Sequence, residues 1–188
     1  MRVTSSGGFL LRKVFYTVPS RLIGHQLRAQ IYDDRLDLFL GATLLVTLPR
    51  GRATRHSPHQ HVVSYHHVIH SLRKKPMALM GLVYRDQLFP RQAFRDVFAV
   101  MLERATERVA CRMMVDLLAL AHDRGCEAEL AAQIEEDLRQ KRLPDIAALR
   151  ALFAPSADSL PRVEVQLADL SAYDQLLGNA PMTQEAAA

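Results

Sequence analysis

RHSPHQHVVSYHHVIH, residues 55–70, holds six of the chain's eight histidines and marks the point where its hydrophobic period changes. Upstream of Val62, apolar residues alternate with polar ones, the pattern of a half-buried strand. Downstream they recur at i, i+3 and i+4, the pattern of a helix packed on one face. The order of the two patterns predicts an α+β chain, strands first and helices second.

Working back from the junction, FLLRKVFYTV (Phe9 to Val18) is rich in β-branched and aromatic residues and is closed by Pro19, so it reads as one strand. QLRAQIY sets Leu27, Ala29 and Ile31 on one face, Asp33-Asp34 makes a turn, and RLDLFL sets Leu36, Leu38 and Leu40 on one face. That predicts a β-hairpin. TLLVTL then places Leu44, Val46 and Leu48 together before Pro49 ends the run. Four short strands in so few residues predict a small all-β barrel or curled sheet over 1–54, the form that protects strand edges.

Working forward, residues 55–61 read as a basic, His-rich loop and 62–153 as a module of stacked helical hairpins, because the connections are short. MALMGLVYRDQL (77–88) is mostly apolar. Pro90 fits the first turn of a helix carrying Phe94, Val97, Phe98, Met101 and Leu102. Thr106 can cap the next helix, whose stripe of Ala110, Met113, Met114, Leu117, Leu118 and Ala121 ends at Gly125. Leu130, Ile134 and Leu138 mark another, and Pro144 opens a short one with Ile146, Leu149, Leu152 and Phe153. From 154 to 188 the chain reads as a linker, APSADSLPR, then a short strand in VEVQL, a short helix in LSAYDQLL and a disordered tail.

The net charge of +4 conceals a division. Residues 1–75 carry twelve Lys/Arg against three Asp/Glu, whereas 76–188 carry twelve against seventeen. A basic face for a polyanion, beside a more neutral part for partners, is the reading this suggests; a solvated surface with scattered Arg is the plainer alternative. No apolar run is long enough to span a bilayer and the start lacks a signal-type apolar core, which predicts a cytoplasmic protein. Cys111 and Cys126, without paired CxxC spacing, read as buried free thiols.

The histidines permit three roles. His66 and His70 stand i, i+4 and His67 and His70 i, i+3, spacings that can hold zinc on a helix, with His56, His59 and His61 just upstream. Yet residues 38–85 contain no carboxylate to act as base or to orient a ligand, and HExxH is absent, so neither a metal centre nor a metal-dependent hydrolase is favoured. A pH switch needs a bistable partner element, which the sequence does not show. A basic junction lying against phosphate accounts for the neighbouring cations too, with Gly51 in LPRGRATRHS allowing close backbone approach. Asp33, Asp34 and Asp37 cluster as turn residues rather than as a two-metal site. Glu135, Glu136 and Asp137, being consecutive, read as a solvated surface, and the nucleophile and phosphate-loop motifs GxSxG, GxxxxGK[ST] and GxGxxG are absent, so no catalytic residue is assigned.

Several phrases, in order, resemble the carboxyl-terminal part of IstA-type bacterial transposases, the family of insertion sequence twenty-one, related to the Mu transposase. They are TSSGGFLLRKVFYTVPSRLIGHQLRAQIYDDRLDLFLG, LPRGRA, YHHVIHSLRKKPMALMGLVYRDQLFP and ACRMMVDLLALAHDRGCEAEL, and the similarity covers nearly all of residues 3–177. RATRHSPHQHVV departs from that pattern, where a Gly- and Lys-containing loop is expected. The resemblance implies a small SH3-like β-barrel matching about 9–50, a helical module matching about 62–153, and a role in DNA contact and in assembling the transposase oligomer with its ATPase helper, IstB. In that family an upstream ribonuclease-H-like domain supplies the Asp, Asp and Glu that bind Mg²⁺. Asp33, Asp34 and Asp37 do not match that triad, so no cofactor is expected here.

The expectation is thus a DNA-binding and assembly portion of a DDE-type transposase, not an enzyme on its own and associated with the nucleoid. Duplex DNA would be held by Arg12, Lys13, Arg28, Arg50, Arg52, Arg55, Arg73, Lys74 and Lys75. The alternative is a helical scaffold that docks the IstB-type helper, with the basic part incidental.

Overall fold

Phe9 and Tyr16 are seven residues apart, so a straight strand would aim them at opposite faces. The chain solves this by folding back. In the computed structural model, which describes residues 1–53 and 60–155, FLLRKVFYTV is two strands rather than one: β1, Gly8–Leu11, and β2, Val14–Thr17, pair antiparallel from Gly8↔Thr17 to Leu11↔Val14. Phe9 now lies directly opposite Tyr16, both are buried, and their rings stack with centroids 5.6 Å apart. The reversal is made by Arg12 and Lys13, both in the left-handed region at φ 50° and 66°. Two positive φ values suit the right-handed twist of a tight hairpin, but are ordinarily supplied by Asn-Gly.

The expected second hairpin is present. β3, Arg28–Ile31, pairs antiparallel with β4, Arg35–Leu40, across the Asp33-Asp34 turn, and β5, Thr43–Pro49, pairs antiparallel with β4 on its other side. Leu36 and Leu38 enter the core, whereas Leu40 is exposed. Leu44, Val46 and Leu48 do not share one face as expected. A β-bulge makes Leu38 pair with Val46 and Phe39 with Leu44, so the extra residue Leu45 reverses the alternation and leaves Leu44 51% exposed. A sixth strand, β6, Gln60–Val62, takes the end of the expected loop, 55–61, and the first residue of the expected helical module, and runs parallel to β2 with Val14↔Gln60 and Tyr16↔Val62.

The strands form two three-stranded sheets, β1-β2-β6 and β3-β4-β5. Among the described residues no hydrogen bonds close them into a barrel. Pro19 ends β2 and a 3-10 turn at Ser20–Leu22 redirects the chain, while Pro49 ends β5. What joins the sheets is a common core, including Phe9, Val14 and Tyr16 from one and Leu36, Leu38 and Leu48 from the other.

The helices are α1, Tyr65–Lys74; α2, Arg85–Leu88; α3, Gln92–Arg104; α4, Glu107–Arg124; α5, Glu127–Arg139; and α6, Ile146–Leu152. A 3-10 segment, Pro76–Gly81, separates α1 from α2, so the apolar run 77–88 is two short pieces. Pro90 lies just ahead of α3, outside its first turn, because Arg91 is the N-cap. Helix α4 is central: it touches α1, α3, α5, α6 and the 3-10 segment, and its stripe of Ala110, Met114, Leu117, Leu118 and Ala121 is buried. Gly125 ends it at φ 62°, a left-handed C-cap that a β-carbon would strain. Thr106 holds the N-cap position without a side-chain cap bond, whereas Asp145 caps α6 by accepting from the Ala147 and Ala148 N–H groups at 2.9 and 3.4 Å.

Cys111 and Cys126 are buried free thiols, as the sequence suggested, and burial pushes both thiols up from their ordinary pKa. Asp137 is not part of a solvated surface: it is 8% exposed and its Oδ1 accepts from the Arg142 guanidinium at 3.1 Å. A carboxylate at that depth needs a partner, and the turn after α5 brings one back. The linker, strand, helix and tail read from residue 156 onward lie outside the described residues.

Strands and helices meet within one compact unit, Met1–Ala154. Phe15 of β2 stacks on Tyr84 with centroids 5.1 Å apart, and the Tyr84 hydroxyl donates to the Ser6 carbonyl. Burial pushes that phenol up to about 12. Thr17, completely buried, accepts from the Ser64 N–H at 3.0 Å, and its Oγ1 lies 3.0 Å from His67 Nδ1 of α1.

Candidate nucleic-acid interface

The hairpin turn decides the placement of Arg12 and Lys13. Both occupy the tip between β1 and β2, exposed and held outward by their left-handed backbone. Arg12 shares a cavity of about 180 Å³ with Arg50 and Arg52, the stretch that follows β5. Arg50 is tied down: its guanidinium donates to the Tyr32 carbonyl at 2.8 Å and stands 3.5 Å from the Asp33 carboxylate. Arg52 donates to the Asp33 carbonyl at 2.9 Å. Both arginines therefore brace the Asp33-Asp34 turn, which leaves less of their charge for an outside phosphate. Gly51 does make a close approach, but to the protein itself. A β-carbon there would stand 2.7 Å from Val14 Cγ1 and 2.9 Å from Val62 Cγ2, and the Gly51 N–H donates to the Tyr16 hydroxyl at 3.0 Å.

A second group of cations is set by the turns of α1. Consecutive helical residues point about 100° apart, so Arg73 and Lys74 cannot serve one face. Arg73 turns toward α4, where it pairs with Asp123 and donates to the Ala119 carbonyl. Lys74 turns the other way, into an open cleft of about 420 Å³ that also presents Arg21, His66, His67, His70, Ser20 and Ser71. Lys74 and Lys75 line the adjoining groove as well, and neither is paired with a carboxylate among the described residues. Arg21 was not singled out by sequence reasoning. Its signal was there, a cation after Pro19 in a carboxylate-free stretch, but the packing of the Ser20–Leu22 turn beside α1 is a long-range fact.

Arg28 stands apart on β3, with its guanidinium 5.1 Å from the Phe39 ring centroid across the strand pair. Arg55, His56 and His59 lie outside the described residues. His61 belongs to β6 and sits 6.0 Å from Phe15, centroid to centroid. Of the nine cations expected to bind DNA, the eight described ones thus divide into a hairpin-tip group, an α1 group, two braces and an isolated arginine.

The described imidazoles form no metal cage. His66 Nδ1 and His122 Nδ1 are 2.7 Å apart, and His70 meets His122 edge-on with centroids 5.4 Å apart. Burial, then His66, pushes His122 below its ordinary pKa, with Asp123 opposing. No three His, Cys, Asp or Glu stand in metal-holding geometry among the described residues. Nor do the three aspartates fit a Mg²⁺ pair: Asp33 faces Arg50, and Asp34 and Asp37 both face Arg35 at 3.6 Å.

The geometry defines an α+β unit with two exposed cationic clusters among the described residues. The chain is 61% identical over 178 residues, 95% of its length, to the uncharacterized protein y4jA/y4nE/y4sE of Sinorhizobium fredii (strain NBRC 101917 / NGR234), and spans 35% of that relative. No family model matches the chain, and no solved structure matches it. No helix among the described residues is long and apolar enough to cross a membrane.

Proposed function

We propose that this chain is the DNA-binding and assembly portion of a DDE-type transposase of the IstA kind, working in the cytoplasm on nucleoid DNA and contributing no catalytic residue. Its small sheets stand for that family's SH3-like barrel, left open at the edges. The observation that carries the reading is the cleft where Arg21, Lys74 and three histidines converge without a carboxylate. Such a surface offers donors to phosphate oxygens and repels no polyanion. The ordered phrases that resemble IstA-type proteins support this reading, and the 61%-identical relative, of which the chain spans 35%, supports its being a portion of a longer protein. The other transposase subunits and an IstB-type ATPase would then be its protein partners.

The test is fluorescence anisotropy with a labelled duplex, from about 50 to about 200 mM salt, where phosphate-driven binding falls steeply. Replacing Arg21, Lys74 and Lys75 by Ala should flatten the slope of log K against log salt by about 1 per cation removed. Arg73→Ala, which removes a brace to Asp123, should change the slope little. Undetectable binding at low salt, or an unchanged slope in the triple variant, would sink the proposal.

A further inference from the structure

Beside the cationic hairpin tip lies another groove, of about 420 Å³, whose lining shares no residue with the cleft of Arg21 and Lys74. Its floor is the partly exposed ring of Phe15, backed by the buried Tyr84 stacked on it, with His61 tilted against Phe15. Its walls are apolar and unusually bare: Leu10 is 66% exposed and Val83 89%. Leu10 and Val83 thus offer aliphatic surface to a ligand seated between them. Lys13 stands at the rim.

Charge decides among occupants. Every residue lining the groove falls within 1–32 or 38–85, two stretches that contain no Asp or Glu. A basic peptide would find nothing to pair with there. A nucleotide would find an aromatic floor for its base and, in Lys13 and Arg12 at the tip, cations for its phosphates. The Arg12-Lys13 turn holds both in the left-handed region, a conformation that is uphill for these residues and that keeps their side chains at the very end of the hairpin. We infer that the groove receives one unstacked nucleobase of the bound DNA, so that the chain prefers duplex carrying an unpaired base over continuous duplex.

This inference rests on the proposed DNA binding, and the experiment separates the two. Anisotropy is measured with a labelled, fully paired duplex and with the same duplex carrying one unpaired 2-aminopurine, whose fluorescence also reports stacking. The expected result is about tenfold tighter binding of the second, the size of one base–aromatic stack, with quenching of the probe. Gly81→Leu should fill the groove, since a β-carbon at Gly81 meets nothing within 4 Å. Leu10→Ser with Val83→Ser should strip its walls at exposed positions. Both variants should lose the preference while binding the paired duplex as before, which also shows that they are folded. Equal affinity of the unaltered protein for the two duplexes overturns the groove and leaves DNA binding standing. Failure to bind either duplex at low salt overturns both.

Discussion

His67 shows how much one side chain's surroundings decide. The sequence allows it to be a zinc ligand, a phosphate contact or a packing residue. Its Nδ1 lies 3.0 Å from the Thr17 hydroxyl, which itself accepts from the Ser64 N–H, so the imidazole helps to fasten α1 to β2. Burial, ahead of the opposing bond with Thr17, pushes its pKa below the ordinary value. The folded protein therefore holds this proton less tightly than the unfolded chain. Stability from His67 is complete above the ordinary value of about 6.5 and is lost as pH falls below it toward the folded value. The thermal midpoint should accordingly drop between about pH 7.5 and about pH 5.5, a range in which ordinary carboxylates stay ionised. His67→Gln should reduce that drop without removing it, because His122 is lowered too. A variant whose midpoint falls with pH as steeply as the parent's would contradict the assignment.

The β1–β2 hairpin carries the clearest lesson among the elements. Its pairing was not legible because Arg-Lys is no turn signal, and ten β-prone residues before a proline read as one strand. The reason for the turn lies in the core: only a reversal lets Phe9 face Tyr16. The same holds for the bulge at Leu38/Phe39, which no alternation in TLLVTL announces, and for β6, whose partner is more than forty residues away. What was legible was local and periodic, such as the α4 stripe, the Gly125 stop and the Asp33-Asp34 hairpin. A left-handed conformation costs an ordinary residue roughly 1–2 kcal/mol, so replacing Arg12-Lys13 by Asn-Gly should stabilise the protein by about 1 kcal/mol or more. It also removes two cations from the tip, so the same variant should bind duplex DNA more weakly. Urea unfolding and anisotropy on one preparation test both halves. Stabilisation with unchanged affinity would mean that the tip does not touch DNA, and no gain in stability would mean that the turn is not strained.

For the whole molecule, the change of period at Val62 was a sound guide to where strands give way to helices, and a poor guide to independence. Each part has its own hydrophobic cluster, yet they are bolted together by side chains that sequence reading treated separately. Phe15 packs against the helical cluster from β2, Tyr84 reaches back to Ser6, and the Thr17–His67 contact joins β2 to α1. The cationic cleft itself is built from both sides of the junction, with Arg21 from the strand part and Lys74 from α1. Separating the parts would uncover Phe15 and Tyr84, and a fully buried aromatic side chain is worth about 1.5–3 kcal/mol. A cluster as small as that of the sheets has little stability to spare. Met1–Ala154 should therefore unfold in one transition, with tyrosine fluorescence, which samples Tyr16 as well as Tyr65 and Tyr84, following the same urea curve as helical circular dichroism. Phe15→Ala, which trims the side chain that packs from β2 against the helical cluster, should lower the midpoint and, if the seam is what enforces cooperativity, pull the two curves apart. Non-coincident curves in the unaltered protein would show instead that the strand part and the helical part melt independently, and that a cleft made from both has no fixed geometry of its own.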